Sequence, residues 1–212
     1  MNNLHPEAAE SLALINRMIE NTRNRLNRNS GRPFLTWGYT TVAVSLFNYV
    51  VNVTGGPVGW SWSWFLIPVV GFLLTRLFPA KKSTEPRTEI DRIVSAVWAT
   101  ASLALIPVFA FVLFHGLSYR ASLFGLIALI MAIATTATGR IVRSKIYIVS
   151  GYAGLILTLL FPLYDRYLKQ LPAGRVDATM LNFEILIFAG VFIVMMIVPG
   201  HIFNHRSQRH VQ

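Results

Sequence analysis

Thr41, Ser45, Asn48 and Asn52 recur at spacings of four, three and four, which puts all four on one stripe of a helix. The surrounding run is apolar, so hydroxyls and amides there must face protein or a wet cavity rather than lipid. Two kinds of chemistry follow: hydrogen bonding that fixes neighbouring helices, or a lined path for a small solute. Glu184 adds the only carboxylate inside an apolar run, where an ionised group needs a partner or water. His115, Arg120, Tyr164, Asp165 and Arg166 fall at the same outer layer as Asn48, Asn52 and Glu184. The candidate intramembrane polar site is therefore Thr41, Ser45, Asn48, Asn52, His115 and Glu184. It is read either as a structural ion pair of Glu184 with Arg120 or His115, or as a proton or solute site.

The elements that must position these groups follow from hydropathy. The chain has 212 residues, 54% of them apolar and 13% charged, with a mean hydropathy of +0.52; a soluble domain carries about 25% charge. A hydrocarbon core about 30 Å thick needs about 20 apolar residues per helical crossing. Six runs of that size occur: Phe34 to Val53, Trp60 to Phe78, Ile93 to Phe114, Ala121 to Gly139, Ile146 to Leu163 and Leu181 to Pro199. They do not alternate as barrel strands would. The expected fold is an all-α integral membrane protein. It has a cytoplasmic segment over 1–33, a six-helix transmembrane domain over 34–199 and a basic cytoplasmic tail over 200–212.

Orientation follows from the placement of Lys and Arg, which stay on the cytoplasmic side in short loops. Fifteen of the nineteen fall on the side of the two termini and four on the other, so both ends are expected in the cytoplasm. The net charge of +10 reads as membrane topology, and no nucleic-acid partner is expected. No cleavable signal is expected, since the first 33 residues lack a basic start followed by an apolar run. Trp60, Trp62 and Trp64 at the outer start of the second run, and Trp37 and Tyr147 at inner starts, read as an interfacial aromatic belt.

Within the first segment Ala8, Leu12, Ile15, Ile19, Thr22 and Leu26 repeat at spacings of four and three. That is one face of a helix, either lying on the lipid surface or docking a partner. The candidate docking residues are Leu12, Ile15, Ile19 and Leu26. The expected partners are membrane lipids and either a second copy or another protein held by this helix.

Small residues at helical spacing, Gly125, Ala128, Ala132, Thr135 and Gly139 in the fourth run and Ser150, Gly154 and Thr158 in the fifth, predict close packing of those two helices. Pro68 and Pro107 predict kinks. Enzyme signatures are weak. With no cysteine, thiolate and Cys-type metal chemistry are excluded. Ser150 and Gly151 with His201 are a poor match to a rhomboid serine–histidine pair, because Ile148 stands at the first glycine position and His201 follows Pro199. His201, His205 and His210 sit in a basic tail with Arg206 and Arg209, which disfavours a bound cation. No cofactor and no metal are expected.

The stretches Glu10 to Glu20, Asn29 to Tyr39 and Trp60 to Gly71 resemble a group of small multi-spanning proteins of Bacteroidetes to which no activity is assigned. That resemblance implies a bacterial inner membrane and supplies no catalytic residues. The functional expectation is a non-enzymatic regulatory, sensing or assembly component acting through protein contacts. The alternative is a small transporter or channel with a polar path near Asn48 and Glu184.

Overall fold

The computed structural model describes residues 10–14, 31–77, 89–115, 120–172 and 175–209. Among these the secondary structure is helical throughout, with no strand. The elements are α1 (Gly31–Val53), a 3-10 helix (Val58–Phe65), α2 (Leu66–Leu77), α3 (Glu89–His115), α4 (Arg120–Ile141), α5 (Lys145–Leu157), α6 (Leu160–Gln170), α7 (Ala178–Phe192), a π-helical turn (Ile193–Ile197) and α8 (Val198–Arg209). Residues 10–14 are also helical. Ile15, Ile19 and Leu26 lie outside the described residues, while Leu12 within them is half exposed.

Among the described residues four helices are long and apolar enough to cross a membrane: Glu89–Ala110, Leu123–Ile141, Lys145–Gln170 and Ala178–His205. This marks a membrane-embedded protein. The first apolar run, α1, is 23 residues long but is not among these four, because its hydroxyls and amides dilute its apolar character. The second run is not one regular helix. Its Trp-rich start winds as 3-10 over eight residues before α2 begins, well beyond the three or four usual for that geometry. Pro68 falls in the first turn of α2, where its missing N–H is tolerated, so the kink expected there is replaced by a change of helix type. Gly31, Arg32 and Pro33 open α1.

The last two runs extend past their expected ends. α5 and α6 form one rod reaching Gln170, which draws Tyr164, Asp165 and Arg166 into helix. The final helix continues through Pro199 to Arg209, so most of the segment expected as a tail is helical. Its π turn lies just before Pro199, and a wider turn there accommodates a ring that cannot donate to the preceding turn.

α1 packs on α2, α7, the π turn and α8, while α4 packs on α3, α5, α6 and α7. The α4–α5 contact is as close as its small residues predict: a Cβ on Gly139 would lie 2.6 Å from the Ile148 nitrogen, and one on Gly151 would lie 2.7 Å from the Thr136 nitrogen. At one end of the bundle Phe34, Tyr147 and Phe203 stack at centroid distances of 4.4 and 4.8 Å. Toward the other end Trp64, Phe124 and Phe188 form a second cluster at 5.1 Å. Each such ring pair contributes about 1 kcal/mol beyond its burial. Tyr147 is fully buried in the first cluster, which corrects its reading as an interfacial residue. α3 differs from the rest: it leans on α4, touches α1 through Trp98 against Phe34, and has 6% of its spanning window buried.

Candidate functional site

Three polar side chains of the α1 stripe, Ser45, Asn48 and Asn52, have a local acceptor or a cross-helix partner. The Ser45 hydroxyl donates to the Thr41 carbonyl at 2.7 Å, and Asn48 Nδ2 donates to the Val44 carbonyl at 2.8 Å. These bonds to the preceding turn leave the Asn48 amide oxygen free to accept from outside the helix. It accepts from the Ser63 hydroxyl at 3.0 Å, which clips the 3-10 segment to α1. One turn further, Asn52 Nδ2 donates to Asn182 Oδ1 at 3.1 Å, and Asn182 Nδ2 donates to the Ala178 carbonyl at 2.8 Å. Thr41, Ser45, Asn48, Ser63 and Asn182 are all buried. The stripe thus faces the second and last apolar runs, where an amide in hydrocarbon finds the partners it needs.

The sequence alone brings Asn48, Asn52 and Glu184 to one layer, and the structure has α7, carrying Glu184, packed along α1. Glu184 is 6% exposed and interacts with a neighbouring group. Its carboxylate is also within electrostatic reach of Tyr164, as are Asp177 and Tyr49. The Tyr164 hydroxyl donates to the Met180 carbonyl at 2.7 Å, tying α6 to the start of α7. Asp177 caps that start by accepting from the Met180 nitrogen at 2.7 Å, as short polar side chains do at helix N-termini. Asp165 pairs with Lys169 along α6 at 2.6 Å. His115 closes α3 and Arg120 opens α4, but the side chains of these expected Glu184 partners lie outside the described part of the structure.

Two members of this network were not singled out from the sequence, Ser63 and Asn182. Ser63 stands in the alternation Trp60-Ser61-Trp62-Ser63-Trp64, whose period of two hides a three-residue turn. Asn182 is a lone amide on its helix face. Its distance of two residues from Glu184 was the available signal.

At the opposite end of the bundle, the Tyr39 hydroxyl and His201 Nε2 share a hydrogen bond of 2.5 Å, and their rings meet edge to face at 5.8 Å. His201 is thereby committed to α1 contact. Among the described residues no group of three or more His, Cys, Asp or Glu could hold a metal; His210 lies outside them. Two shallow depressions run along α3, one lined by Asp91, Arg92, Ser95, Ala96 and Ala99, the other by Thr100, Leu103, Ala104, Ile106 and Pro107. They are on the exposed flank of the bundle and apart from the polar layer.

Comparison with protein-family models, with curated proteins and with solved structures gives no match.

Proposed function

We propose that this is a multi-pass inner-membrane protein of a bacterium that works through contacts with other proteins, as a regulatory, sensing or assembly component rather than as an enzyme. Six crossings with both termini in the cytoplasm are part of the reading. Length supports the two crossings beyond the four strongly apolar ones. At about 1.5 Å per residue α1 reaches about 35 Å, and eight 3-10 residues at about 2.0 Å plus twelve α residues reach about 34 Å. Both exceed a hydrocarbon core of about 30 Å. The bacterial placement rests on the resemblance of the Glu10 to Glu20, Asn29 to Tyr39 and Trp60 to Gly71 stretches.

The observation that carries the functional reading is the engagement of the α1 stripe. Asn48 is clipped by Ser63 and Asn52 by Asn182, so the polar groups serve as glue between helices and not as the wall of a passage. The contact elements are the amino-terminal stripe of Leu12, Ile15, Ile19 and Leu26 and the exposed flank of α3. The test is extraction of the full chain from its own membranes in mild detergent, in parallel with a chain lacking residues 1–30. A protein partner at fixed stoichiometry that disappears on the deletion is the expected result. A partner-free particle in both cases overturns it.

A transport reading draws on one observation, the burial of Glu184 beside the amide layer. Solute or proton flux in proteoliposomes that Glu184→Gln abolishes would favour it over the contact reading.

A further inference from the structure

The turn between α4 and α5 gathers three cations within six residues. The Ser144 nitrogen donates to the Gly139 carbonyl at 2.9 Å and the Arg143 nitrogen to the Arg140 carbonyl at 3.2 Å, and Arg143 takes a left-handed conformation with φ of 55°. Arg140, Arg143 and Lys145 are all exposed, and no carboxylate stands in this stretch. Their mutual repulsion favours an anion at this rim.

Arg140 does not extend away from the bundle. Its guanidinium donates to the Tyr152 hydroxyl and sits 5.8 Å from the centre of that ring. Tyr152 is seven residues into α5 from Lys145, about 10 Å along the helix axis. The charge is therefore laid along the exposed side of the hairpin, toward the apolar zone. Tyr152 is 42% exposed, and the same side carries Val149 and Ile156, each 67% exposed, with Ile133 of α4 at 53%. A cationic, hydroxyl-bearing head thus stands over an apolar strip. An arginine that served only to mark the cytoplasmic side would extend toward water.

We propose that the α4–α5 hairpin binds one anionic phospholipid. Its phosphate lies against Arg140 and Tyr152, and its acyl chain lies along Val149, Ile156 and Ile133. The Tyr152 oxygen accepts from Arg140, which leaves its own proton to donate to a phosphate oxygen. The remaining guanidinium N–H groups of Arg140 supply charge-assisted bonds, and Arg143 and Lys145 add the field that selects a net negative headgroup over a zwitterionic one. A soluble phosphate would use the cations but not the apolar strip.

The test is native mass spectrometry of the full chain titrated with phosphatidylglycerol or with phosphatidylcholine of the same acyl chains. Phosphatidylglycerol is expected to bind the tighter, and Arg140→Gln to reduce that preference about fivefold. Tyr152→Phe should give a smaller loss, with phosphatidylcholine binding unchanged by either substitution. Photolabelling by a phosphatidylglycerol carrying a diazirine in its acyl chain is expected to map to Val149 to Ile156, a readout independent of how well the variants fold. An equal affinity for the two lipids, a preference that survives Arg140→Gln, or labelling spread evenly over the helices overturns the proposal. So does competition by millimolar inorganic phosphate, which would make the ligand a soluble anion. None of these outcomes bears on whether the protein has a protein partner.

Discussion

Asn52 and Asn182 put a value on a single buried amide. Each side chain donates once, Asn52 to Asn182 and Asn182 to its own preceding turn, so removing Asn182 strips the half-buried Asn52 of its acceptor. Asn182→Leu is expected to lower stability by about 1 kcal/mol. In the double variant with Asn52→Leu much of that loss returns, because no donor is then left unmatched. Reversible unfolding in mixed micelles would measure a coupling near 0.6 kcal/mol; a coupling of zero would mean that the pair is not formed. Asn52 was legible because it repeats with Thr41, Ser45 and Asn48, and a period can be read from a string of letters. Asn182 has no such companion, and only the packing of α7 on α1 reveals its role. Tyr147 failed for a related reason: an aromatic at a helix end suits the interface and the core alike, and its stacking partner Phe203 is 56 positions further along the chain.

Elements meet where side chains are small, and two glycines separate that rule from mere helix content. Gly151 faces Thr136 so closely that a Cβ would lie 2.7 Å from the Thr136 backbone nitrogen, whereas nothing lies within 4 Å of a Cβ on Gly190. Gly151→Ala must push α4 and α5 apart and is expected to cost 2 kcal/mol or more, on the order of other overpacking changes. Gly190→Ala is expected to be neutral, or to stabilise by about 0.5 kcal/mol through reduced backbone freedom. Thermal unfolding of the two purified variants side by side would check both. If Gly151→Ala melts with the parent, the close approach of the hairpin is wrong. The α4–α5 contact was legible in the spacing of Gly125, Ala128, Ala132 and Gly139. The 3-10 segment was not, because Ser63 within it bonds Asn48 of α1, and no local pattern of Trp and Ser announces a bond to another helix. The π turn before Pro199 escaped notice as well, since proline alone signals only that a regular turn must give way somewhere nearby.

In the proposed six-crossing topology the basic residues divide unequally between two faces, and the absence of cysteine makes that division simple to probe. A thiol at Thr54→Cys, in the turn after α1, is expected to react with a membrane-impermeant maleimide on intact cells. One at Arg143→Cys, in the α4–α5 turn, should react only after the membrane is opened. Labelling of Arg143→Cys on intact cells would overturn the topology in which both termini are inside. Hydropathy made the membrane placement legible, while the arrangement of helices about one another depended on contacts that hydropathy does not encode. α3 is the clearest case. It reads as strongly apolar as its neighbours, yet it leans on α4 and has little of its surface covered. From α3 the core takes Trp98, which packs on Phe34, and the buried Ala101. The outward side of α3 therefore leaves a broad greasy surface for lipid or a neighbouring rod to cover.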